Sequence, residues 1–433
     1  MKRTYEQTIS NLPPGILSCF WGDLDPSVTE CSPAHVTLRL SADSVIPEDT
    51  LQFHAFFWGR GYESFGPFSA CLVSEEIGPF QREVTFEVHD EDFAKMVNAL
   101  QLQLYRYIKG KLDSEGNEFS EALTGYPAFL DADFAKDYAD WLSGYSSYFD
   151  QLGQCLKSSD LPLYLSLETL GSCQKYLTDT LTAPFTPSGI YIGNAWCHNQ
   201  FPDKDLLLQI LEAAHLRRQR IVLVLSYLRD CLMEHYTEVL DTAFGWCQIT
   251  GQTMELELND LGWLAYFEEH KEYLNSFTLN FGRLLNKRRR DPRLPYKDGL
   301  SEEMTVFAEN SLNDPDLLTL LRDHNISRIE QECCGYFMKM PCFPQTLHLP
   351  FYQTNTSQNC PLQAVKTTGN RGAQQFLPTC DRACESHVLL YPKHLGLIGK
   401  YNSLFAVDRT ITLDTINTYR EKGVDRILWN LSE

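Results

Sequence analysis

"SGIYIGNAWCHNQFPD", residues 188–203, runs a β-branched and aromatic segment, Ile190 to Ile192, into Gly193-Asn194 and reaches Cys197 three residues later. A short apolar run of this type, stopped by Gly and Asn, reads as a buried strand. The thiol therefore stands just past the end of a strand. Upstream, "TAPFTPSG" (182–189) carries two prolines and a glycine and marks a boundary.

Downstream of that boundary, short apolar strands alternate with helical stretches. The expected strands are 189–194, 220–227, 254–260, 276–282, 327–332, 346–352, 402–407 and 425–431. Helices are expected in "DKDLLLQILEAAHLRRQ" and "LRDCLMEHYTEVLDTAFGWCQ". About eight strands separated by helices is the pattern of a parallel β/α barrel, with an open doubly wound sheet as the alternative. No GxGxxG or GxxxxGK[ST] follows any strand, which weakens a nucleotide-binding version.

The fold class expected is thus α/β: a small β-rich module at 1–110, a mainly helical connector at 111–187, and a TIM-like barrel at 188–433. In the front module, "HVTLRLSA", "TLQFHAFFW", "FSACLVSE" and "REVTFEVHD" read as strands. The following "EDFAKMVNALQLQLYRYIKGKL" places Phe93, Met96, Val97, Leu100, Leu104 and Ile108 on one helical face. A small β-barrel closed by a helix is expected, in an order that loosely resembles a PilZ-like barrel. The stretch has neither RxxxR nor DxSxxG, so cyclic-dinucleotide binding is not carried over.

Composition narrows the class further. Over 433 residues the chain is 43% hydrophobic and 22% charged, an ordinary globular balance. Its net charge of −20 argues against a nucleic-acid partner. No apolar run is long enough to span a bilayer, and the basic N-terminus lacks the apolar segment of a signal peptide. A cytoplasmic, reducing location is the expectation. The fourteen cysteines are then free thiols, most of them small core residues.

In a β/α barrel the chemistry gathers at the C-terminal ends of the strands. Cys197 follows one expected strand and Cys360 another, while Cys380 and Cys384 form a close pair in "LPTCDRACES". Four thiols meeting on one rim in a reducing compartment suit an iron–sulfur cluster or, alternatively, a structural zinc. Cys333, Cys334 and Cys342 lie near the same rim and read as packing.

The segments "IYIGNAWC", "IVLVLS" and "ELELNDLGWL", with this cysteine pattern, resemble the barrel of the collagenase-like peptidase superfamily, nearest its UbiV-like branch. The resemblance covers about 188–433. It implies a [4Fe–4S] cluster held by Cys197, Cys360, Cys380 and Cys384, and matches "NDLG" at 259–262 to the family's Asn-Asp after the third strand. It further implies oxygen-independent hydroxylation, with a small anionic oxygen donor and a second barrel protein of the same superfamily as partner. A non-catalytic iron–sulfur scaffold and, from the superfamily's label, a peptidase remain alternatives. The sequence has no HExxH and no GxSxG to support proteolysis.

Four further residues are rim candidates. Asn259 and Asp260 could face the cavity or cap the next helix. Arg283 and the 287–290 basic cluster could clamp an acid, or form a solvated loop. His348, alternating with apolar residues in "LHLP", could point into the barrel. His198 could tune a cluster by hydrogen bonding.

Overall fold

The computed structural model describes residues 8–10, 16–22, 24, 26–45, 50–57, 60–113, 141–288, 310–335, 338–369, 373–377, 379–391 and 396–430. The chain divides into two compact units: one built on residues 1–128, the other on 129–295, 309–391 and 396–433.

Eight parallel strands close the barrel of the larger unit. In chain order they are Leu163–Leu167, Gly189–Gly193, Arg220–Leu225, Met254–Leu258, Phe277–Phe281, Arg328–Glu332, Gln345–Leu349 and Val424–Trp429. The eighth pairs with the first, completing the ring. Helices such as Lys204–Leu216, Met233–Thr250 and Gly262–Glu269 connect successive strands. Strict in–out alternation explains the wall. Ile190, Ile192, Leu223, Leu225, Leu256, Leu258, Leu279, Phe281 and Ile329 face the helices in one continuous apolar cluster.

Two expectations about this unit are corrected. The barrel begins at Leu163, inside the stretch assigned to a helical connector, and not at residue 188. "LYLSL" lacks the β-branched residues that signal a strand, and its Leu-rich composition favours helix. The stretch 402–407 forms a strand, Ser403–Val407, but outside the barrel. It belongs to a four-stranded antiparallel sheet with Phe351–Thr356, Leu397–Lys400 and Leu389–Leu390. This sheet and the helix Pro361–Thr368 form an excursion between the seventh and eighth barrel strands.

In the smaller unit the described strands form two antiparallel sheets and not the closed barrel expected. One contains Ile9–Ser10, Ser27–Cys31, His35–Ser41, Gln81–Glu87 and Cys71–Ile77; the other contains Leu17–Phe20, Thr50–Phe57 and Gly61–Ser69. The helix Glu91–Asp113 buries Phe93, Met96, Val97 and Leu100 against Phe53, Phe68 and Phe86. Ile108, expected on the same face, is exposed because the helix outruns the sheets it packs on.

Candidate metal centre at the barrel rim

Cys197, Cys360, Cys380 and Cys384 line one pocket at the C-terminal end of the barrel. Each arrives by a different local device. Gly193 closes the second barrel strand at φ +111°, and a Cβ there would lie 2.7 Å from both the Phe201 ring and the Val224 carbonyl. Only glycine fits such a turn without strain. Asn194 then folds the chain back. Its Oδ1 accepts from the backbone N–H of Trp196 (2.9 Å) and Cys197 (3.0 Å), and its Nδ2 donates to the Glu168 carbonyl (2.9 Å). "GNAWC" is therefore a built turn that carries a thiol off a strand end.

Cys360 is the N-cap of the helix Pro361–Thr368, and its Sγ accepts from the backbone N–H of Gln363 at 3.4 Å. Burial pushes this thiol up, while the Gln363 and Leu362 N–H groups oppose the rise. A helix N-terminus favours the thiolate for the same electrostatic reason. Cys380 and Cys384 sit on an irregular loop whose turn is set by Arg382 in the left-handed region (φ +55°). Arg382 Nε donates to the Asn199 carbonyl at 3.0 Å, and Lys366 pairs with Asp381, tying the loop to both other segments.

Gln200 was not singled out in the sequence, yet it is fully buried and touches the site directly. Its Nε2 donates to Cys384 Sγ at 3.1 Å, and its Oε1 accepts from the Leu170 N–H at 3.2 Å. Cys384 is pushed up to about 12, by burial first, with Lys400 and the Gln200 hydrogen bond opposing. Burial raises Cys197 as well, and its proximity to Cys384, Cys360 and Cys380 adds to the rise. Burial thus disfavours the thiolate at Cys197, Cys360 and Cys384, and a bound cation reverses that preference.

The donor set and its spacing can be set against the candidate metals. All four donors are soft thiols, as an iron–sulfur cluster or zinc requires. Around a single zinc, Zn–S bonds of about 2.3 Å put the sulfurs roughly 3.8 Å apart. Among the described residues, no three of these sulfurs lie within 4.8 Å of one another. A cuboid cluster binds each thiolate to a different iron and so holds them farther apart. The donor chemistry suits an iron–sulfur cluster or a structural zinc alike.

Of the rim candidates Asn259, Arg283 and His348 are buried and Asp260 is half-buried. Asn259 is a strut: its Nδ2 donates to the Leu225 carbonyl and Glu257 Oε1, both at 3.1 Å, and its Oδ1 accepts from the Leu284 N–H. Asp260 braces the next turn, accepting from the N–H groups of Gly262 (2.8 Å) and Leu228 (3.0 Å). Arg283 lies in the barrel mouth, 3.4 Å from Glu168, 3.4 Å from Glu332 and 3.7 Å from Glu257, over the Trp196 ring at 4.2 Å. Burial works against its charge, but these carboxylates outweigh it and raise the guanidinium. Arg288 pairs with Glu332, while residues 289 and 290 of the basic cluster lie outside the described residues. His198 bonds the Leu377 carbonyl and stacks on Phe376, and among the described residues it meets no sulfur.

His348 does point into the barrel, where its Nε2 meets Glu330 Oε2 at 2.7 Å. Burial drives this imidazole well below its ordinary value. Tyr191, Thr346 and Asn280 also bond Glu330, and Arg426 grips Glu255 through two bonds of 2.8 and 2.9 Å. The interior is thus an ion and hydrogen-bond network where a typical barrel has aliphatic layers. Its signal was present as alternation: "MELEL" and "RIEQE" place a polar residue at every second position of a buried strand.

No family model matches the sequence, and no curated protein shows a significant match. Among solved structures, a U32 peptidase is similar over 64% of this chain and 94% of its own, at 9% identity and a TM-score of 0.31. An uncharacterized Legionella protein matches 24% of this chain and 98% of its own, at 11% identity and a TM-score of 0.19. The barrel assignment rests on the strand pairing itself. No described helix is long and apolar enough to cross a membrane.

Proposed function

We propose that this protein holds a [4Fe–4S] cluster on Cys197, Cys360, Cys380 and Cys384, and acts in oxygen-independent hydroxylation as an enzyme or as one subunit of one. The observation that carries the cluster is the meeting of four thiols, spread over 188 residues of sequence, in a single rim pocket. The hydroxylation reading rests on the resemblance of "IYIGNAWC" and the cysteine pattern. When bound, the cluster supplies one-electron chemistry. The chain's own part is to fix the sulfurs: Asn194 orients Cys197, the helix N-terminus steadies Cys360, and Gln200 donates to Cys384.

A second reading, an iron–sulfur scaffold or partner without chemistry of its own, draws on Arg283. Three carboxylates already surround that guanidinium, so it is not free to clamp a small acid. Anaerobic purification with iron, sulfide and zinc analysis tests the cluster. The expected result is broad visible absorbance and about four irons per chain, both lost in Cys380→Ala. Zinc in place of iron would overturn the proposal. A co-purifying second barrel protein or a bound small acid separates the enzyme reading from the scaffold.

A further inference from the structure

The opposite, N-terminal face of the barrel carries a cavity of about 670 Å³. That volume lies within the ~300–1,000 Å³ typical of small-ligand sites. It is built from the starts of consecutive strands: Arg220, Glu255, Thr278 and Arg328 stand at their first or second positions. Arg218 joins them from the turn after the helix Lys204–Leu216.

We propose that this cavity binds a compact oxyanion bearing two or more negative charges, such as a diphosphate or a tricarboxylate. The first support is charge. Among the described residues, the side chains of Arg218 and Arg220 make no hydrogen bond or ion pair, although the whole chain carries −20. The cavity's one carboxylate, Glu255, is held by Arg426 from inside the barrel and by Arg328 at 3.7 Å, and does not satisfy them. Arg328, the third arginine, is held at the cavity edge by Asp425.

The second support is conformational. Arg218 adopts φ +57° at the helix C-terminus, a position that favours glycine. Its N–H bonds the His215 carbonyl, so the turn is fixed, and Arg218 lines the cavity together with Arg220. An arginine kept where the backbone prefers glycine points to a task for its side chain. The third support is donor chemistry. The hydroxyls of Thr253 and Thr278 line the same wall with no protein partner among the described residues, and they complement arginine forks around an oxyanion. The site is far along the barrel axis from the cysteines, so it stands or falls independently of the cluster.

Calorimetric titration of the full chain with inorganic pyrophosphate and, separately, with citrate tests this at low and moderate salt. Saturable binding of either probe is expected, weakening as salt rises. Binding of pyrophosphate alone identifies a phosphorylated ligand, and of citrate alone a carboxylated one. Arg218→Ala and Arg220→Ala should each weaken binding about tenfold, the loss of one charge-assisted hydrogen bond. Both residues are exposed, so folding is not at risk, and a thermal melt checks it. Absence of saturable binding by both probes, or binding unchanged in the double variant, overturns the proposal.

Discussion

Gln200→Met removes the one side-chain donor, among the described residues, to a cysteine sulfur of the proposed centre while keeping the length of an unbranched side chain. The bond is 3.1 Å long and its amide is completely buried, so no water replaces it. A hydrogen bond to a charged acceptor contributes about 1.5–3 kcal/mol. Only the difference between the two redox states moves a potential. The extra electron is spread over the cluster and its four sulfurs, so roughly 0.5–1.4 kcal/mol of that bond belongs to the reduced state alone. At ~59 mV per 1.4 kcal/mol for one electron, the variant should be harder to reduce by about 20–60 mV. A second loss accompanies it: the Leu170 N–H loses its acceptor, which costs about 1–3 kcal/mol of stability. The assay is an anaerobic redox titration followed by electron paramagnetic resonance, with iron content measured on the same sample. A fully loaded variant whose potential stays put, or moves positive, refutes the argument that Gln200 stabilises charge on Cys384.

Further outcomes follow from the same geometry. Gly193→Ala should destabilise the barrel unit by about 2–4 kcal/mol in denaturant unfolding, combining a left-handed backbone with a 2.7 Å overlap on Phe201; a loss under ~0.5 kcal/mol would contradict the turn as described. Cys360→Ala should abolish the visible absorbance, whereas Cys342→Ala, at an exposed thiol outside the pocket, should keep it. Burial pushes Glu255 up, but Arg426 overrides it and leaves the carboxyl below its ordinary range. Its stabilisation is therefore full above about pH 4.3 and is lost as pH falls through the lowered value. Glu255→Gln should cost about 1–3 kcal/mol at pH 7 by leaving Arg426 with Glu330 as its remaining carboxylate, with the gap to the parent protein closing in acid; a gap that widens there would reverse the sign of the linkage.

Local pattern made much of this protein legible. The alternation of strands and helices named the barrel, because in–out periodicity and turn residues are properties of neighbours in sequence. Strand-end position marked Cys197 and Cys360, and close spacing marked Cys380 and Cys384; the fold brings all four to one pocket. What the sequence did not carry was pairing. Ser403–Val407 reads as a strand on its own, but whether it joins the parallel ring or an antiparallel excursion depends on partners far away in the chain. Leu163–Leu167 was hidden for the complementary reason: a Leu-rich pentapeptide becomes a strand only because a closing ring needs an eighth member. Asn259 and Arg283 looked like rim chemistry, yet their partners Leu225, Glu168 and Glu332 come from other strands and turn them into internal braces. Sequence fixes which groups stand at a strand's end and which way they face; only closure of the barrel decides what they meet, because each contact there joins segments tens to hundreds of residues apart.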